Sequence, residues 1–291
     1  MSSHASPLGG TESPSAYDSI GGHYQDVKSL PAAEAEDASV LDACGDVTGM
    51  RVIDFACGTG HYTRELRRRG AGRCLGVDLS AAMVEMARRQ EHEEPLGIDY
   101  QVGDATDLPA LGRFDLATGA WLLNYAADLV TLTAMLSSVA RNLAPGRRFV
   151  GATQNPDFDF GGPSSPRYGW SFVPVGETPF GTQVQATAHT SPAIHFPAQF
   201  ARAEMYDRAA RDAGFTEFSW LPLTVPEDAV RRRGREFWKE YRANPFLAVF
   251  STRLAPRTAR GAGFAGREPA RGAGGREPAR GAGGASGTRR R

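Results

Sequence analysis

Asp54-Phe55-Ala56-Cys57-Gly58-Thr59-Gly60 is the stretch whose reading decides the fold. It continues the apolar run that opens at Arg51-Val52-Ile53 and precedes helical spacing over Tyr62 to Arg69, so its glycines fall where a buried strand gives way to a helix. With no Cβ at 58 and 60, the backbone can bend sharply and approach a ligand closely. Ligands of open α/β sheets bind beyond the carboxyl ends of the strands, which puts this bend at a binding position.

Outward from the bend, short apolar runs alternate with helical periodicity. Arg73 to Asp78, Ile98 to Val102, Phe114 to Thr118 and Phe149 to Thr153 read as further strands. Ala81 to Arg89, behind a Ser80 N-cap, and Leu129 to Asn142, ending before Pro145-Gly146, read as helices. Such alternation predicts an α/β fold, Rossmann-like, with a mostly parallel sheet and helices on both faces. Residues 155–198 are rich in Pro, Gly and aromatics without sustained periodicity, and are expected to form a lid or substrate-binding insert. Helical spacing returns from Gln199 to Ala213, Gly214 is the expected C-cap, and Phe215 to Leu221 resume as strand.

Three acids stand at the ends of three consecutive strands: Asp54, Asp78 and Asp104. A dinucleotide fingerprint would want a third glycine at position 63, where this chain has Thr63. Asp54 would repel a pyrophosphate and attract an ammonium group, which favours S-adenosylmethionine (SAM), a cofactor with a cationic amino-acid end and no phosphate. Asp78, twenty residues after Gly58, can accept both hydroxyls of a ribose, and Asp104 an adenine amino group. Each acid also has a plainer reading as the cap of the helix that follows it. After the fourth strand comes Gly119-Ala120-Trp121-Leu122-Leu123-Asn124-Tyr125, whose aromatics can sandwich a flat substrate or simply pack as core.

The composition sets the remaining bounds. The hydrophobic fraction of 41% suits a buried core, and no apolar run approaches the ~18 residues of a membrane span. With a polar Met1 to Ser15 lacking a signal pattern, the chain is expected to be cytoplasmic, with residues 1–15 disordered. Cys44, Cys57 and Cys74 have neither disulfide nor metal spacing, and no metal site is expected. The net charge of zero hides nine Arg against two Glu after residue 255, which leaves the preceding part acidic. There Arg267 to Gly275 is repeated residue for residue by Arg276 to Gly284, and residues 255–291 are expected to be a disordered tail. A polyanion-binding arm is the alternative, although an acidic body weighs against nucleic acid as the partner.

With these motifs assembled, the chain resembles the class I SAM-dependent methyltransferases. Asp54 to Gly60 resembles their first motif, Gly76-Val77-Asp78-Leu79-Ser80 the second, and Gly103-Asp104-Ala105 the third. Within that superfamily it is similar to the azapteridine N-methyltransferases of the toxoflavin-synthase type. The residues carrying that likeness are Tyr17-Asp18-Ser19-Ile20-Gly21-Gly22, Ala120-Trp121-Leu122, Asn124-Tyr125-Ala126, Asp157-Phe158, Ala213-Gly214-Phe215 and Phe237-Trp238. The resemblance implies a seven-stranded sheet, a methyltransferase domain over residues 16–254, SAM as cofactor and a small-molecule methyl acceptor. It further implies that Tyr17 and Tyr24 close over the cofactor, that Asp54, Gly58 and Gly60 surround its methionine part, and that Asp78 holds the ribose. Asp104 and Ala105 would lie at the adenine and Trp121 beside the reacting centre, while Ala56, Thr59, Leu79, Met83 and Ala120 complete the cofactor set. The insert and the repeat tail have no counterpart in the resemblance.

Methyl transfer from a sulfonium is an in-line displacement in which positioning alone supplies ~7–11 kcal/mol, so the expected reaction is proximity-driven. Trp121 and Tyr24 are the expected catalytic side chains, with His195, or His189, as base if the acceptor is a phenol. N-methylation of a planar nitrogen heterocycle in antibiotic biosynthesis is the expected activity. O- or C-methylation of another natural product, or RNA methylation through the Arg-rich tail, are the alternatives. The sequence leaves monomer or homodimer open.

Overall fold

The computed structural model describes residues 24–163 and 165–256. All of them lie in the first of the two units into which the chain divides, Met1–Arg257. Residues 1–15, Tyr17 and the repeat tail lie outside the described residues, and so do the expectations placed on them.

Seven strands form the main sheet, in the order β3-β2-β1-β4-β5-β10-β9. These are β1 (Arg51–Phe55), β2 (Arg73–Asp78), β3 (Asp99–Val102), β4 (Phe114–Ala120), β5 (Leu143–Gln154), β9 (Phe215–Leu221) and β10 (Leu247–Leu254). The first five pair in parallel, and β10 runs antiparallel between β5 and β9. The order reverses between β1 and β4, which creates a crevice at their carboxyl ends.

Two apolar clusters fix the layers. On one face Val52, Cys74, Leu116 and Val150 pack with α2 (Pro31–Cys44), α3 (His61–Arg68) and α4 (Ala81–Glu93). On the other, Ile53, Phe55, Ala117 and Phe149 pack with α5 (Leu129–Asn142) and α6 (Ala203–Asp212). Alternate residues of β1 thus serve opposite layers, as a doubly covered sheet requires. The short α1 (Tyr24–Lys28) precedes α2, while α7 (Glu227–Arg233) and α8 (Arg235–Ala243) link β9 to β10. Ser80 caps α4 as expected, its side chain accepting from the Met83 N–H.

The insert is more regular than its composition suggests. It holds a separate three-stranded antiparallel sheet: β6 (Trp170–Glu177), β7 (Gly181–Ala188) and β8 (Ile194–Ala201). Pro174 and Pro197 sit within its two edge strands, where no partner needs their missing N–H. Those prolines are also what hid the strands in the sequence. Residues Gln199 to Ala201, read as helix, finish β8, and the helix starts only at Ala203.

Candidate cofactor and acceptor site

The central crevice is shaped by two left-handed residues that are not glycine. Ala56, immediately after β1, has φ +53°, and Trp121, immediately after β4, has φ +61°. Such backbone costs of order 1 kcal/mol or more at each residue and clusters at functional sites. Gly58 and Gly60 follow with φ +53° and +90°. A Cβ on Gly60 would come within 2.9 Å of Tyr100 Cζ, so the bend is pressed against the Tyr100 ring behind it.

Asp78 ties the bend to β2. Its Oδ2 accepts the Gly58 N–H at 2.8 Å and its Oδ1 the Ser80 N–H at 2.9 Å. Burial pushes its carboxyl upward in pKa, against the lowering effect of the backbone N–H groups of Ser80, Gly58 and Leu79. A bend amide that could have met a phosphate is therefore held by the chain's own carboxylate. Leu79 and Val102, about half exposed at 50% and 49%, rise at the ends of β2 and β3 as apolar walls beside Asp78.

Asp54 lies beneath the bend, paired within the chain. It is 2% exposed, and its two oxygens accept from the hydroxyls of Thr63 at 2.6 Å and Thr118 at 2.8 Å. Burial raises its pKa against those hydrogen bonds. Asp54 thus braces β1, α3 and β4 beneath the bend. Thr63, conspicuous in the sequence only as a missing glycine, supplies one brace.

Asp104 is exposed, and its Oδ1 accepts from both the N–H and the hydroxyl of Thr106, at 2.7 and 2.8 Å. Among the described residues no helix follows it before β4, so the carboxylate caps a turn rather than a helix. Ala105 follows it, partly buried. Thr59, Met83 and Ala120 are buried, Met83 in the first turn of α4 and Ala120 at the end of β4. Tyr24 opens α1, and its side chain lies outside the described residues.

Beside the bend, five side chains join α1, α2 and α3. Lys28 Nζ meets Glu36 at 2.7 Å and Asp37 at 3.3 Å, the Tyr62 hydroxyl donates to both carboxylates, and His61 Nε2 stands 3.0 Å from Asp37. Burial alone would raise the Asp37 carboxyl, but hydrogen bonds from His61 and Tyr62 and the charges of Lys28 and His61 hold it down to about 2. A cavity of about 360 Å³ runs from here along α3, lined by Lys28, Thr59, His61, Arg64 and Arg68 among others.

On the β4 side, Trp121 donates its N–H to the Ala152 carbonyl of β5 at 2.8 Å and packs into the apolar cluster that also takes Phe158, Trp170, Phe172 and Phe246. Trp170 and Phe172 stack with ring centroids 6.0 Å apart, and Phe172 meets Phe246 at 5.2 Å. Insert aromatics and the post-β4 tryptophan thus belong to one apolar body.

His195 does not join them. It is exposed, pairs through Nδ1 with the Thr187 hydroxyl at 2.9 Å, and alternates along β8 with Phe196, whose ring packs on Trp170. Period-two geometry puts the imidazole on the face opposite Phe196, away from the aromatic body that takes Trp121. His189 is likewise exposed and pairs with Ser171 at 2.7 Å. The sequence reading missed Tyr100, Thr118 and Val102, each of which acts through a neighbour far along the chain.

The donor set fits SAM. Asp78, the two apolar walls and a cradle without side chains suit an adenosine with an amino-acid tail, and the bend holds no Lys or Arg for a pyrophosphate. Comparison with known proteins agrees at the level of class. Residues 52–146 match the Methyltransf_25 family, described as a methyltransferase domain. A demethylmenaquinone methyltransferase of Lactococcus lactis is 31% identical over 141 residues, 46% of this chain and 55% of that protein. A ubiquinone biosynthesis O-methyltransferase of Xanthomonas oryzae is 32% identical over 130 residues, 44% of this chain and 53% of that protein. The chain spans about half the length of the curated relatives it matches. The crystal structure of an S-adenosylmethionine-dependent methyltransferase from Mesorhizobium loti superposes with a TM-score of 0.54 at 23% identity, covering 75% of this chain and 97% of that one. The fold is therefore the one that solved methyltransferase shows, and residues 52–146 are similar to a methyltransferase domain.

Proposed function

We propose that this protein is a SAM-dependent methyltransferase acting on a small planar acceptor. The observation that carries the reading is the Asp78 carboxylate, which occupies the Gly58 amide and so converts a potential phosphate cradle into an adenosine site. Bound SAM supplies an electrophilic methyl group on a sulfonium. The chain's part is to hold the ribose edge at Asp78, flank the adenine with Leu79 and Val102, and exclude water with the Trp121 and insert aromatics. Positioning of this kind accounts for ~7–11 kcal/mol of barrier lowering without a dedicated base, which accords with the outward face of His195.

The acceptor we favour is a planar nitrogen heterocycle of the azapteridine type, methylated on nitrogen. The aromatic body around Trp121 and Trp170 supports a flat ring, and the toxoflavin-synthase-like motifs support that class. The names of the curated relatives favour a second reading, methylation of a ring oxygen or carbon as in quinone biosynthesis. Incubation with SAM and either a didemethylated azapteridine or a demethylated quinol, followed by mass spectrometry, separates the two. Failure of both SAM and its demethylated product, S-adenosylhomocysteine (SAH), to bind in calorimetry overturns the methyltransferase reading itself.

A further inference from the structure

Two carboxamides stand where β4 and β5 deliver their carboxyl ends, and each has bonding capacity that the chain does not use. Asn124 Oδ1 is buried with no hydrogen-bond partner. An amide oxygen stripped of water and left unpaired is costly, and native structures rarely tolerate one without a reason. Gln154, the last residue of β5, is 4% exposed; its Oε1 accepts from Thr153 at a long 3.4 Å, and its Nε2 donates to no described residue.

Topology brings the pair to one junction. Asn124 lies in the single turn Leu123–Tyr125, three residues after the left-handed Trp121. That turn, β5 and β8 pack mutually, and the Trp121 N–H on the Ala152 carbonyl registers the turn beside the end of β5. Gln154 shares its face of β5 with Val150 and Ala152, which belong to the cluster against which Trp121, Trp170 and Phe172 pack.

We infer that Asn124 and Gln154 read the polar edge of the methyl acceptor, Asn124 accepting from a ring N–H and Gln154 donating to the adjacent carbonyl or ring nitrogen. An aromatic body with one acceptor and one donor at its margin is complementary to a lactam-bearing heterocycle. A site built to hydrogen-bond such an edge rejects analogues that lack it, because its own amides are then left unpaired. This inference rests on the methyltransferase reading and specifies its substrate class.

The test is calorimetric titration of the SAH-saturated full chain with lumazine (pteridine-2,4-dione), with 1,3-dimethyllumazine, whose N–H groups are blocked, and with catechol. Lumazine is expected to bind, and the dimethyl compound about 10-fold more weakly or worse. The near-isosteric Asn124→Leu and Gln154→Met are each expected to weaken lumazine about 10- to 100-fold while leaving SAH affinity unchanged, which also shows that the variants are folded. Lumazine that fails to bind the SAH complex, catechol binding better than lumazine, or variants that bind like the parent would each overturn the carboxamide pair while leaving the methyltransferase reading standing. Absence of SAH binding removes both.

Discussion

The carboxylate of Asp78 accepts the backbone N–H of Gly58 at 2.8 Å across twenty residues of sequence. The bond closes β2 onto the glycine bend, and a charge-assisted bond of this kind is among the stronger ones a backbone amide makes. Asp78→Ala removes it together with the proposed ribose contact. SAH affinity is expected to fall at least 100-fold, with a loss of about 2–3 kcal/mol in unfolding free energy. Asp78→Asn keeps an oxygen for one of the two backbone donors and should lose less of each. Calorimetry and urea melts on both variants check the order.

Gly60 turns its missing side chain toward Tyr100, at φ +90°. Gly60→Ala therefore meets both a strained backbone and an occupied space, and a destabilisation of about 2–4 kcal/mol is expected. Tyr100→Phe should act oppositely. The Tyr100 hydroxyl is buried without a partner, so its deletion is expected to raise the melting temperature by a few degrees. Lowered stability in Tyr100→Phe would show that this hydroxyl has a partner in solution.

Trp121 combines an aromatic role with a backbone that favours glycine. Trp121→Gly and Trp121→Ala should both depress turnover at least tenfold while SAH affinity stays within about threefold, given the proposed place of the ring beside the acceptor. Of the two, the glycine variant is expected to be more stable, by about 1 kcal/mol, because it relieves the left-handed strain at φ +61°. Equal stability would mean that the strand end relaxes when the indole is gone.

His195→Ala is expected to leave kcat and KM within about twofold, because its imidazole pairs with Thr187 on the outer face of the insert sheet. A large loss of kcat with a changed pH profile would restore it as a base.

Acid should loosen the junction of α1, α2 and α3. Asp37 titrates near 2 in the folded chain against 3.8 as its ordinary value, so its contribution to stability is complete above about 4 and is lost as pH falls from there toward 2. Asp37→Asn is expected to cost about 1–2 kcal/mol at neutral pH and to flatten that stretch of the stability profile, measurable by urea titration between pH 2 and 5.

What could be read from the sequence was what is local. The bend at Gly58 and Gly60, the five parallel strands and the Ser80 cap each depend on residues a few positions apart, and α5 was read with both its ends. The bracing bonds of Asp54 were not legible because its partners, Thr63 and Thr118, lie nine and 64 residues away, and no spacing rule links a strand acid to threonines on another helix and another strand. The insert strands were concealed by Pro174 and Pro197, which propensity counts against a strand although both occupy edges. The face on which His195 falls needed the register of β7 and β8, which a composition rich in Pro and Gly does not fix. Helix α2, with Pro31 in its first turn, went unread because it is apolar on most sides, and a helix buried that broadly shows little periodicity.

Strand β10, the last to leave the ribosome among those described, is not the last in space. It slots between β5 and β9. A nascent chain therefore holds both of these edges open until Leu254 has emerged, and the first five strands can pair while β9 waits for its only neighbour. During that interval a chaperone would find an unpaired β5 margin, and a ribosome stalled before residue 247 would carry five paired strands and a detached β9, with the strand that joins them still missing.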